Sequence, residues 1–264
     1  MKTNLQKLKS VVLSSNTYSE ILITLLILLL ISLGIVSVSN YLNNKKIIKS
    51  HKTTIQNKVH IIDSLVAKEK EIKVMQKTIL LAYPQKNLRI KKTGKWILGG
   101  ISEYEAKSYS YIFKEFADSF NVDWTIFPSV LWIETRFNPT LTSDKKAKGI
   151  GQLMDSTAHY LCNKIGIVYK NGTTLWTDII NVTLCCSYLV EGIKKDSTGK
   201  INYEHMIKRY YAGENHKNMN KSRKKIKKYY DDVYNQQQKL KDVFDEHEKL
   251  NYLYNGVKVN HIIK

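Results

Sequence analysis

The sequence is poor in the residues that staple or metallate a fold. Its 264 residues contain only three cysteines, Cys162, Cys185 and Cys186, too few for a disulfide framework, and the last two are neighbours that diverge on a helix. They fit small core positions, with a Cys162 pairing to either of the others left open. No zinc-type spacing is present, and His159, His205 and His216 have neither metal-ligand spacing nor an obvious carboxylate partner. No Walker-type phosphate loop or dinucleotide fingerprint occurs. Acid is scarce too: 23 Asp and Glu stand against 42 Lys and Arg, a net charge of +19. Such a balance favours anionic partners, whether a membrane surface, an anionic wall polymer or nucleic acid. The plain alternative is a Lys-, Asn- and Ile-rich composition with no partner behind it.

What is there begins with an uncharged apolar run at residues 21–38, preceded by a polar leader, residues 1–20. Eighteen such residues span a bilayer as a helix, so residues 21–39 are expected to be a transmembrane anchor. A cleaved secretory signal is the alternative, because Ser37-Val38-Ser39 offers small residues for cleavage. Charge does not orient the segment: Lys2, Lys7 and Lys9 flank one side, and Lys45, Lys46, Lys49 and Lys52 the other. Residues 40–83 contain no Gly or Pro and carry an apolar stripe, Ile55, Val59, Ile62 and Val66, resumed after a shift by Ile72, Met75 and Ile79. The heptad fails at Glu69, so a helical stalk is expected rather than a long coiled coil. Residues 84–101 form a basic connector, broken by Gly94, Gly99 and Gly100.

From Ser102 the pattern becomes that of a mainly α domain. Ser102 and Glu105 make a capping box for a helix to about residue 120, whose apolar face is Tyr109, Ile112, Phe113 and Phe116. Asp123 is a plausible N-cap for the next helix, which ends at Glu134. Phe127, Val130, Leu131 and Glu134 recur at three or four residues, which puts the carboxyl on the buried face. A carboxyl in apolar surroundings has a raised pKa and can stay protonated near neutrality. A Glu at a solvated helix end is the plain alternative. Beyond it, Asn138 to Ile150 reads as a loop or short two-stranded tongue of the sort that walls a cleft. Gly149 and Gly151 allow close approach of backbone, and Gln152 can donate and accept hydrogen bonds.

The run Val130-Leu-Trp-Ile-Glu134-Thr-Arg-Phe-Asn-Pro139, followed by Gly149-Ile-Gly-Gln-Leu-Met154, resembles the catalytic segment of the SLT-type (family 1) lytic transglycosylases of the lysozyme-like superfamily. Glu134, Phe137, Pro139, Ser143, Gly149, Gln152, Leu153, Met154, Thr157 and Ala158 fall in register without a gap. Thr135 replaces Ser, Leu141 Ala, Lys146 Gly and Asp155 Pro. Asn181 to Leu189 resembles the family's Asn-Ile-x-x-Gly-x-x-Tyr-Leu helix with Cys185 at the Gly, and Tyr210-Tyr-Ala-Gly213 its Tyr-Asn-Ala-Gly, with Tyr211 for Asn. The resemblance covers residues 102–213 or so.

It implies a lysozyme-like helical domain, residues 102–215, with Glu134 as catalytic acid and base and Tyr210 beside it. Thr135, Ser143, Gly149, Gln152, Met154, Tyr210 and Tyr211 become candidate substrate-binding residues. The implied reaction is cleavage of the bond between N-acetylmuramic acid and N-acetylglucosamine in peptidoglycan strands, with 1,6-anhydro ring closure and no metal or organic cofactor. Burial would lift Glu134 to a pKa of around 6, as in the lysozyme case. A hydrolytic muramidase using Asp144 or Asp155 as second carboxylate, and an inactive glycan-binding component of an envelope or phage-entry assembly, are the competing readings. A wall substrate puts the domain outside the cytoplasmic membrane.

Residues 216–264 read as a basic, mostly helical extension. From Lys221 to Lys228 six of eight residues are basic, and Tyr229-Tyr230 follow. Such a run suits an anionic surface. A solvated helix face is the plain alternative, and nucleic acid would want more interleaved aromatics.

Overall fold

The computed structural model describes residues 45–89, 96–213 and 222–262. The described backbone falls into two units, one up to residue 72 and one from residue 73 onward. The leader, the apolar run at 21–38 and His216 lie outside the described residues. Among the described residues no helix is long and apolar enough to cross a membrane.

In the first unit the described chain is helix, the beginning of α1 (Lys45–Ala82). No Gly or Pro interrupts it, and of its stripe Ile55, Val59 and Val66 stay exposed while Ile72 is buried. In the second unit the same helix changes character, because Met75, Ile79 and Ala82 are buried, and Tyr83 beyond its end is too. The ring of Tyr83 stacks on Trp132 at 4.8 Å.

The connector proves to be a hairpin. Strands β1 (Lys86–Arg89) and β2 (Trp96–Gly99) pair antiparallel, Lys86 opposite Gly99 and Arg89 opposite Trp96. Each strand is four residues long and neither shows the alternation that marks a half-buried strand, so no strand signal was legible there. Gly100 turns the chain with φ +92°, and a Cβ there would lie 2.2 Å from the Pro84 carbonyl oxygen. Its N–H reaches the Arg136 carbonyl at 2.9 Å, and Asn138 donates to the Leu98 carbonyl at 3.1 Å. The hairpin therefore buttresses the chain where it leaves the Glu134 helix.

Five further helices build the rest of the described unit: α2 (Glu103–Phe120), α3 (Ile126–Thr135), α4 (Asp155–Ile165), α5 (Asp178–Glu191) and α6 (Tyr203–Ala212), followed by the long α7 (Arg223–Ile262). The expected capping box opens α2, with Ser102 Oγ accepting from Glu105 N and Glu105 accepting from Ser102 N. Asp123 does not cap α3 directly. Its carboxylate accepts from the N–H and hydroxyl of Thr125, which tightens the turn just before the helix. Helix α3 is the centre of the core: Ile126, Phe127, Val130 and Leu131 are all buried, and Phe127 stacks on Phe113 of α2 at 5.8 Å. All three cysteines are buried and unbridged.

Helix α7 contributes to the same core. It packs along α3 and α6, burying Ile226, Tyr229, Val233 and Leu240. Gln237 donates to Thr125 Oγ1 at 3.1 Å, and Lys241 pairs with Asp123 at 2.6 Å. The basic run thus heads a packing helix, although the charge drew the eye in the sequence. Burial of Tyr229, Val233 and Leu240 is worth about 1.5–3 kcal/mol per side chain, comparable in sum to the whole net stability of a domain. A chain cut after residue 215 is accordingly expected to lose its cooperative thermal transition, whereas one cut after residue 250 keeps it. Circular dichroism melts of both truncations check this.

Candidate active site

Glu134 sits in the last turn of α3, where the helix stops abruptly. Arg136 and then Phe137 take left-handed φ values of 56° and 63°, a conformation that costs a bulky residue energy and needs the surroundings to enforce it. The Phe137 ring supplies that enforcement, tilted against Tyr83 at 5.4 Å and Trp132 at 6.3 Å. The chain then turns into the tongue, where bridges join Thr142 to Lys148 and Lys148 to Leu153.

The glutamate is half-buried. Burial raises its pKa to about 7, against the opposing effect of a hydrogen bond from Tyr229. That hydroxyl donates to Oε1 over 2.5 Å. Tyr229 is itself buried, and burial together with the facing carboxylate pushes its phenol well above the usual range, so it remains a donor. A second tyrosine, Tyr211, stacks on Tyr229 with ring centroids 4.5 Å apart and an interplanar angle of 23°.

The tongue is held against this site by one buried side chain. Asn181, fully enclosed at the start of α5, accepts from Gly151 N at 2.8 Å and donates to the carbonyls of Lys148 and Leu175 at 3.1 and 2.9 Å. The glycines are needed because the backbone comes this close. A Cβ on Gly149 would lie 2.2 Å from Asn181 Nδ2, and one on Gly151 2.8 Å from Cys185 Cβ. The other end of the Gly151 residue is held as well: Tyr210 donates to its carbonyl at 2.6 Å, while Cys185 Sγ lies 3.0 Å from the same hydroxyl.

The residues expected to bind substrate thus divide. Thr135 is buried and donates to the Ile150 carbonyl at 2.9 Å, tying α3 to the tongue. Ser143 Oγ accepts from Ala147 N at 3.0 Å inside the tongue's turn. The amide of Gln152 donates to the carbonyls of Leu141 and Gly149, so that nitrogen holds the loop rather than facing a ligand. Gly149 is packed from behind by Asn181. Tyr210 stands near enough to Glu134 for that carboxylate's charge to help raise its phenol, after burial and Cys185, while its hydroxyl bonds Gly151 and lies against Cys185. Met154 and Tyr211 do reach solvent, at 42% and 45% exposure.

The two alternative carboxylates lie in different settings. Asp155 pairs with Lys148 Nζ at 2.7 Å and accepts from Tyr169 at 2.7 Å, and these bonds hold its pKa below the usual carboxylate value. Asp144 is exposed on the tongue. Among the described residues no cluster of His, Cys, Asp and Glu is suited to a metal ion.

The residue that sequence reasoning missed is Tyr229. Its signal was present as a stripe, Ile226, Tyr229, Val233 and Leu240, at helical spacing within a segment read for its charge.

One half-buried carboxyl titrating near neutrality, gripped by a phenol and walled by a glycine-backed tongue, defines a site of the single-carboxyl acid–base class, able to give a proton and take one back. Residues 111–233 match the family model of the transglycosylase SLT domain. No curated protein matches the chain. Among solved structures, the 70 kDa soluble lytic transglycosylase of Escherichia coli is 19% identical, covering 48% of this chain and 19% of that one, with a TM-score of 0.35. An inactive mutant of the lytic transglycosylase Slt of Pseudomonas aeruginosa is 18% identical, covering 53% of this chain and 24% of that one, with a TM-score of 0.36. The chain therefore spans a quarter or less of the length of either structure.

The raised Glu134 pKa has a stability consequence. A group whose folded pKa, about 7, exceeds its reference value of 4.5 keeps the fold at full stability below the reference value. That contribution is lost progressively as pH rises through the folded pKa. At ~1.4 kcal/mol per pH unit the loss is at most about 3 kcal/mol, less where solvent reaches the carboxyl. Glu134→Gln, which cannot ionise, is expected to melt above the parent chain on the alkaline side and close to it in acid. Denaturation curves of both proteins across the pH range check the sign.

Proposed function

We propose that the chain is a membrane-anchored peptidoglycan lytic transglycosylase that opens the wall locally. The observation that carries this reading is Glu134 itself, a lone carboxyl raised to about 7 with Asp155 engaged elsewhere. An acid–base group works best with a pKa near the operating pH, because appreciable fractions of both forms are then present.

In the proposed reaction Glu134 protonates the glycosidic oxygen between N-acetylmuramic acid and N-acetylglucosamine, and the bond from that oxygen to C1 of the muramyl residue breaks. The carboxylate left behind takes the proton of the muramyl 6-hydroxyl as that oxygen attacks C1. A 1,6-anhydro ring closes, no water is consumed, and Glu134 is restored to its starting protonation state. Hydrolases of the two-carboxylate kind need a second group as nucleophile or water-activating base, whereas here the substrate's own hydroxyl takes that part. Tyr229 holds Oε1 and leaves the other carboxyl oxygen to carry the mobile proton. Exposed Tyr211 and Met154 supply apolar surface for sugar rings, while Thr135, Ser143, Gly149, Gln152 and Tyr210 keep the wall of the cleft in shape.

The uncharged run at 21–38 supports a membrane anchor, which would confine the enzyme to wall near a membrane, with the catalytic domain on the wall side. Mass spectrometry of muropeptides released from purified peptidoglycan tests the reaction. The expected products end in 1,6-anhydro-muramic acid and are lighter by one water than hydrolytic products. Glu134→Gln is expected to lose at least about 10²-fold in rate, the usual share of acid–base catalysis. A reducing muramyl end would replace transglycosylation by hydrolysis, and equal activity in the variant would remove Glu134 from the reaction.

A further inference from the structure

Helix α6 ends on two adjacent tyrosines that reach different parts of the site. The hydroxyl of Tyr210 holds the Gly151 carbonyl of the tongue at 2.6 Å. The ring of Tyr211 lies instead on Tyr229, with centroids 4.5 Å apart and planes 23° from parallel. Successive residues on a helix do not face each other, so one turn can serve both. Tyr211 is 45% exposed and stands where the SLT motif has Asn, so the stack on Tyr229 is not something that motif supplies.

What Tyr229 needs from a neighbour follows from the chemistry of a phenol. Its oxygen conjugates with the ring, which keeps the O–H close to the ring plane. The torsion that turns that plane, χ2, is broad for an aromatic side chain and fixes no single orientation. Packing must therefore choose the plane. The hydrogen bond to Glu134 Oε1, 2.5 Å long, depends on that choice, because such bonds weaken steeply when donor and acceptor are misaligned. A flat ring lying against the phenol is well shaped to hold its plane, and aromatic pairs at this separation attract beyond the area they bury.

Two other groups feel the Glu134 charge, the Tyr210 phenol of α6 and the Cys185 thiol of α5. These two face each other, with the sulfur 3.0 Å from the hydroxyl, and Tyr210 donates on to Gly151. The orientation of Tyr229 is thus what sets its hydrogen bond to the carboxyl.

We propose that Tyr211 is a positioning residue for Glu134: its ring fixes the plane of the Tyr229 phenol, and that plane directs the hydroxyl to Oε1. The bearing on catalysis rests on the acid–base reading above, but the positioning itself can be measured without turnover. It adds to the surface that Tyr211 offers a sugar ring, since one face of an aromatic ring can hold a neighbour while the rest meets a ligand. It also brings the tongue and the carboxyl under one helix end, because α6 carries both Tyr210 and Tyr211.

Carbon-13 NMR of the Glu134 carboxyl in the full chain tests the proposal, with Tyr211→Ala and Tyr211→Phe made in the parent and Tyr211→Ala also combined with Tyr229→Phe. Tyr211→Ala is expected to raise the Glu134 midpoint by about half a pH unit, since a slack hydrogen bond favours the carboxylate less. Tyr211→Phe keeps the ring and should keep the parent midpoint. Combined with Tyr229→Phe, Tyr211→Ala should move the midpoint by less than about 0.2 pH unit, because no hydrogen bond is left to orient. Equal movements in the two backgrounds would reduce Tyr211 to a screen against solvent. An unchanged or lowered midpoint in Tyr211→Ala would mean that Tyr229 keeps its plane unaided. Either outcome overturns the proposal. Rates on purified peptidoglycan give a second readout. Lost positioning in Tyr211→Ala lowers kcat about threefold or more, whereas a Tyr211 that only meets sugar would raise KM alone, and that result also overturns the proposal. Midpoints that behave as expected in a chain without lytic turnover would support the positioning while removing the catalytic reading, so the two fail separately.

Discussion

Tyr229 donates to Oε1 of Glu134 over 2.5 Å, and much of the fold can be understood as what that contact requires. The two residues are 95 apart in the chain. To bring them together, α3 must end just past Glu134, which it does through the left-handed Arg136 and Phe137, and α7 must lie along α3, which its buried Tyr229, Val233 and Leu240 ensure. The chemistry follows from two opposed effects. Enclosure disfavours the carboxylate and lifts its pKa, while the phenol favours the carboxylate and restrains the lift. The result, about 7, leaves a group that can act in either direction of proton transfer.

The opposite wall depends on a polar cluster with little tolerance for change. Asn181 uses both ends of its amide on backbone, and Gly151 is held at its N–H by Asn181 and at its carbonyl by Tyr210. Buried polar groups of this kind stabilise a single geometry only when their partners are all present, because each one left unmatched costs about 1–3 kcal/mol. The departures from the SLT motif fit this arrangement unevenly. Thr135 keeps the hydroxyl that binds Ile150, and Cys185 places its sulfur against the Tyr210 hydroxyl. Lys146, standing where the motif has Gly, adopts φ 65°, a left-handed conformation that a glycine would take without strain.

How much of this was legible follows from how local each feature is. The Ser102 and Glu105 capping box spans one turn, so adjacent residues determine it, and it formed as expected. The burial of Glu134 was readable from Phe127, Val130 and Leu131 at helical spacing, because one face of a helix shares one environment. The tongue was marked by its glycines. Gln152 was readable as a hydrogen-bonding residue, but whether its amide faces ligand or loop depends on carbonyls at 141 and 149 that only the folded tongue brings near. The hairpin at 86–99 carried no alternation to read. Tyr229 was hidden for another reason: the basic run before it dominated the composition, and its apolar stripe becomes meaningful only once α3 is there to receive it. Resemblance put Tyr210 near the carboxyl, where its phenol does feel the Glu134 charge, but the hydrogen bond to that carboxyl comes from Tyr229 while the Tyr210 hydroxyl serves the tongue.

The proposed function depends on a single carboxyl, lifted by enclosure and restrained by one phenol, acting as both acid and base. Titration of the Glu134 side-chain carboxyl by carbon-13 NMR, in the parent chain and in Tyr229→Phe, tests it most directly. A midpoint of about 7 is expected in the parent and a higher one in the variant, because the hydrogen bond that favours the carboxylate is gone. A parent midpoint near the reference value of 4.5, or a variant midpoint that falls, would contradict it.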